Sequence, residues 1–79
     1  MNLDQLKLGA SARILAVDWQ SLAADEAKRL QALGIDEGAE VEMAHRGIFF
    51  SRDPIALRVG SMTVALRRNH AHAITVEAL

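Results

Sequence analysis

The chain contains no cysteine, which removes disulfide frameworks, thiolate metal sites and redox couples together. Aromatic residues are scarce, with one tryptophan, two phenylalanines and no tyrosine in 79 residues. No apolar run approaches the roughly 20 residues a membrane span needs. The opening segment sets Asp4 among scattered apolar residues and lacks a basic-then-apolar signal pattern. A cytoplasmic protein without direct membrane insertion is expected. An excess of charge of one sign is missing too, since nine Lys and Arg face ten Asp and Glu for a net charge of −1. Nucleic-acid binders concentrate a basic excess on one face. Here only Arg67-Arg68 and Lys28-Arg29 form basic pairs, so no nucleic-acid partner is expected.

What is present is apolar patterning. Hydrophobic residues make up 51% of the chain, enough for one folded domain over 1–79, near the lower size limit for an unstapled core. No repeat, low-complexity stretch or linker divides it. Leu3 and Leu6 have the spacing of one helical turn, and Gly9 follows as a turn residue. The stretch 12–18, ARILAVD, is apolar on both faces and reads as a mostly buried strand.

A helix is expected over 22–33. Ser21 is placed to cap it, and Asp25 and Glu26 sit near its positive N-terminal end. Leu22, Ala23, Ala27, Leu30 and Leu33 share an arc of about 140°. Gly34 falls where a left-handed C′ residue ends a helix, and Ile35 would reach back to Leu30.

Beyond Gly38 the period changes to two. Ala39, Val41 and Met43 alternate with acidic residues, as do Ile55, Leu57 and Val59, then Met62, Val64 and Leu66, with less apolar neighbours. Gly60-Ser61 is a two-residue loop with glycine first, as a type II′ hairpin requires. A last short strand places Ile74 and Val76 on one face. The expected core is Leu30, Leu33, Val41, Leu57, Val64, Leu66 and Ile74. The fold class is mainly β with one helix. An open sheet of its about five strands would leave two long edges exposed, so they are expected to curl into a small barrel with the helix, between the first and second strands, closing one end.

Catalytic patterns are absent. The chain has no glycine-rich phosphate loop, no dinucleotide-binding G-x-G-x-x-G and no G-x-S-x-G elbow. Asp25 and Glu26 are adjacent on the expected helix, so they point about 100° apart and do not converge. His70 and His72, spaced i, i+2, would share a side if extended, and with His45 could offer three nitrogens to a metal. No metal is expected, because no H-x-x-x-H or cysteine supports such a site. His45, His70 and His72 are then exposed turn residues.

Phe49 and Phe50 lie side by side in the longest strand-to-strand connection. Neighbouring side chains diverge in extended backbone. Phe49 is therefore expected to pack down and anchor the loop, while Phe50 stays exposed beside Ile48 or Trp19 as a contact for a partner.

RLQALGIDEG, followed by DPIALRVGSMTVALRRNHAHAITV, closely resembles the FeoA family of small proteins of ferrous iron uptake. The matching residues are Arg29, Leu30, Leu33, Gly34, Gly38 and Val41, then Asp53-Pro54-Ile55, Gly60, Ala65-Leu66-Arg67, Ala71, Ile74 and Val76. LDQLKLGASARI is similar to the family's opening turn and first strand. Leu8 and Glu37 stand where relatives often have proline.

The resemblance implies an SH3-like barrel without enzymatic activity or cofactor. It also implies a partner, FeoB, a membrane protein with a cytosolic GTP-binding domain that moves ferrous iron inward, and so a peripheral place at the inner membrane. Arg29 and Arg67 are each expected to be a solvated or carboxylate-paired surface residue, with pairing to an acidic patch on that partner as the functional alternative. Two other functions remain open. One is a stand-alone peptide-binding or regulatory domain related to the C-terminal barrel of metal-dependent DtxR-like repressors. The other is a small metal carrier using the three histidines. For Phe49 and Phe50 two alternatives stand beside the anchor and the partner contact: both rings cover the open barrel end, or the patch drives self-association into a homo-oligomer.

Overall fold

The computed structural model describes residues 1–47 and 53–79. Among these, five strands form one antiparallel sheet: β1 (Ser11–Val17), β2 (Glu40–Arg46), β3 (Ile55–Val59), β4 (Met62–Leu66) and β5 (Ile74–Ala78). Their spatial order is β4-β3-β2-β1-β5. Helix α1 (Ala24–Ala32) connects β1 to β2, and a short helix α2 (Arg68–Ala71) connects β4 to β5. The mainly β architecture with a helix between the first two strands is as the sequence leads one to expect. α2 replaces an expected turn.

The end of α1 follows its glycine signal. Gly34 has φ of +91°, its N–H donates to the Gln31 carbonyl at 3.1 Å, and the Ile35 N–H donates to the Leu30 carbonyl at 2.9 Å. These are the two bonds of a Schellman motif, closed by Leu30 and Ile35, both fully buried. A β-carbon at position 34 would meet Val59 Cγ1 at 3.5 Å, ordinary contact. The cost of Gly34→Ala is therefore conformational alone, about 1 kcal/mol. Thermal unfolding should show a small, clear drop for Gly34→Ala and none for substitution of exposed Lys28.

The start of α1 differs from expectation. Ser21 lies in a 3₁₀ turn, Trp19–Ser21, and its hydroxyl donates to the Asp18 carbonyl at 2.9 Å. Leu22 is extended (φ −108°, ψ 147°) and buried, so the helix cannot begin there and Ala23 takes the cap position. Leu33, at the other end, is half-buried rather than core. Leu30, Val41, Leu57, Val64, Leu66 and Ile74 are buried as expected, joined by Leu3, Leu6, Ile14, Met43 and Ile55.

Two bulges reset the strand faces. In β1 the register shifts between Ile14 and Ala16, which leaves Leu15 49% exposed and returns Val17 to the core. That is why the segment reads as apolar on both faces. Glu37 supplies an acceptor beside this bulge, taking the Val17 N–H at 3.1 Å. In β2 the shift falls between Met43 and His45, so that Arg46 pairs with buried Ile55. His45 is exposed and Arg46 turns inward. The β3–β4 hairpin closes on Val59 and Met62. Gly60 has φ of +61° and Ser61 has no positive φ, which is the type II′ geometry.

Candidate functional site

Two charged clusters flank α2. The first is built on Asp4, in the 3₁₀ turn Leu3–Gln5. Leu3 and Leu6 anchor that turn in the core, leaving the Asp4 side chain 11% exposed. Arg68 grips it with two hydrogen bonds, Nε to Oδ1 and Nη2 to Oδ2, both 2.9 Å. His72 Nε2 lies 3.2 Å from Oδ2, and Arg46 Nη1 lies 3.6 Å from Oδ1. Arg46 also donates to the carbonyls of Asp4 and Leu6. The hydrogen bonds from Arg68 outweigh burial, and with a further contribution from His72 they hold the Asp4 carboxyl at about 2, below its ordinary 3.8. The Arg68 backbone N–H donates to Asp53 Oδ1 at 2.9 Å, so two carboxylates fix the first residue of α2.

The second cluster lies on the other side of α2. Glu26 accepts from Arg29 Nε at 2.7 Å, and its second oxygen is 3.7 Å from His70 Nδ1. Arg29 Nη2 donates to the Ala65 carbonyl at 3.3 Å. Glu26, Arg29, Asp53, Pro54, Arg67 and His70 surround a cleft of about 430 Å³ at the end of β4. Arg67 is exposed and has no ion pair among the described residues.

The histidines do not converge. His45 is exposed on β2, His70 faces Glu26 and His72 faces Asp4. Because 68–71 is helical, the i, i+2 pair points in different directions. Among the described residues no group of three or more histidine or carboxylate side chains is placed to hold a metal. Phe49 and Phe50 lie outside the described residues. No helix among the described residues is long and apolar enough to cross a membrane.

The FeoA domain model matches residues 1–78. This chain belongs to the FeoA family. Its fold superposes on the iron(II) transport protein A of Clostridium thermocellum, with a TM-score of 0.85 and 28% identity. That alignment covers all of this chain and 46% of the other, so the chain spans less than half the length of that relative. It also superposes on FeoA of Stenotrophomonas maltophilia, a prokaryotic SH3-domain protein complexed with zinc. There the TM-score is 0.77 and the identity 34%, over 98% of this chain and 89% of that one. A manganese-dependent transcriptional repressor shares the fold alone, at a TM-score of 0.81 and 20% identity, over all of this chain and 41% of the repressor. No curated sequence matches.

Within this FeoA-family fold, Arg29 is carboxylate-paired as expected and Arg67 is solvated. The Asp4–Arg46–Arg68 cluster is absent from the sequence reading. Its one sequence signal is an acid between two core leucines, Leu3 and Leu6, which demands a basic partner wherever the turn docks.

Proposed function

We propose that this protein is a non-enzymatic accessory of ferrous iron uptake, working in the cytoplasm by docking on the cytosolic GTP-binding domain of a FeoB-like transporter. Membership of the FeoA family supports iron transport as the setting. The observation that carries docking is the exposed Arg67, without an ion pair among the described residues, beside Arg29 at the mouth of the β4 cleft. Cations so placed meet an acidic patch on a partner and raise its rate of capture. Phe49 and Phe50, adjacent in the sequence, are proposed as the apolar part of the contact.

Titration against the transporter's cytosolic domain, with and without guanine nucleotide, tests this. Saturable binding is expected, weakened about tenfold or more by Arg67→Gln and by one of Phe49→Ser and Phe50→Ser, with the other lowering the melting temperature. Failure to bind in every nucleotide state would refute it. The second reading, a regulatory domain of the repressor type, is favoured by the shared fold and requires binding to a peptide but not to the transporter.

A further inference from the structure

The two edges of the sheet are treated differently. The edge of β5 is covered, since Asn2 bridges to Thr75 and the Val76 N–H donates to the Met1 carbonyl at 2.8 Å. The edge of β4 has no such cover among the described residues. Its register pairs Val59 with Met62 across a two-residue turn, Arg58 with Thr63 and Ala56 with Ala65. In that hairpin Met62, Val64 and Leu66 exchange hydrogen bonds with β3, so the N–H and C=O groups of Thr63 and Ala65 point outward. The Arg29 bond to the Ala65 carbonyl confirms the direction. Thr63, Ala65 and Arg67 are all exposed. Proteins usually blunt such an edge to prevent pairing with other chains.

We propose that β4 is a docking edge for an extended acidic segment of a partner protein, which adds as a sixth strand and runs into the cleft beside α2. Charge complementarity selects the occupant. Arg58, Arg67 and Arg29 flank the edge. Arg58 lies 3.9 Å from Glu42 and Arg29 2.7 Å from Glu26, so exposed Arg67, with no ion pair among the described residues, supplies the selecting charge. The acids nearby are engaged, Glu26 by Arg29 and Asp53 by the Arg68 backbone. An incoming N–H takes over the Ala65 carbonyl, and the freed Arg29 Nη2 turns with Arg67 to the segment's carboxylates. Main-chain pairing supplies affinity and Arg67 supplies selection. The same cation repels a second copy of this edge, which disfavours self-pairing. The inference rests on the reading of the protein as a docking module and assigns that reading a surface.

Ala65→Pro is the diagnostic variant, because it removes an outward N–H and leaves the bonds to β3 intact, a position where edge strands accept proline. The probe is a capped heptapeptide alternating valine with glutamate. Expected are binding to the wild type, loss of at least tenfold for Ala65→Pro, and at least threefold for Arg67→Gln with a shallower salt dependence. The same peptide N-methylated at its pairing amides should not bind, and this decides the matter if Ala65→Pro fails to fold. Equal binding by the N-methylated peptide, by a lysine-for-glutamate peptide or by folded Ala65→Pro overturns the proposal. So does a wild-type dimer that Ala65→Pro disperses. If the transporter domain binds Ala65→Pro normally, the edge is wrong and the transporter reading stands. If the acidic peptide binds as described while the transporter domain never does, the edge stands and the transporter reading falls.

Discussion

Replacing Leu30 by alanine is expected to remove about 2–5 kcal/mol of stability, enough to unfold much of a domain this small. Leu30 is fully buried, and three roles converge on it. It is the buried residue of α1, its carbonyl accepts the Ile35 N–H, and its side chain closes the Schellman motif against Ile35. The backbone bond survives the substitution, so the loss is one of transfer and cavity terms. Helix α1 has only nine residues and is too short to persist without its packed face. Leu33→Ala, one turn along and half-buried, should cost less than half as much. Urea unfolding should show a lower midpoint for Leu30→Ala at an unchanged slope. Equal losses for the two variants would mean that the helix presents a different face to the sheet.

The parts of the fold that could be read from the sequence are those fixed by local chemistry. Gly34 ends α1 because it can adopt a positive φ, and Gly60 sets the hairpin for the same reason. Alternation gave Ile55, Leu57, Val64 and Leu66 correctly as buried, since no bulge interrupts the pairing of β3 with β4, while Val59 and Met62, which flank the turn, are half-buried and exposed. Alternation failed where a bulge intervened. Strict period two turns His45 inward and Arg46 outward, and the shift after Met43 reverses both. α2 was not legible, because four residues hold too little periodicity to signal a helix. Its position comes from Asp4 and Asp53, which grip Arg68 from 64 and 15 residues away. At the β4 cleft, Arg29 and Arg67 were visible as candidates, but the strand edge beside them depends on which strand ends the sheet. That is a property of topology, not of any one strand.

Asp4→Asn is expected to cost about 1–3 kcal/mol at pH 7, through the only carboxylate among the described residues that neutralises Arg46. The Arg46 side chain is 15% exposed. It keeps its bonds to the Asp4 and Leu6 carbonyls in the variant but loses its counter-charge. Arg68 and His72, at 38% and 54% exposed, turn to water instead, which keeps the loss below that of a wholly buried pair. The pH dependence has a definite sign. The Asp4 carboxyl titrates at about 2 in the folded protein against 3.8 ordinarily, so the unfolded chain binds the proton first as pH falls. The stabilisation is complete above about pH 4 and disappears as pH drops through about 2. Screening at the exposed partners limits this part to about 1 kcal/mol. Wild type and Asp4→Asn should therefore differ most at neutral pH and draw together between pH 4 and 2 in urea unfolding. A gap that stays constant down to pH 2 would show that the Asp4 carboxylate stabilises the fold by its shape and hydrogen bonds, with no net contribution from its charge.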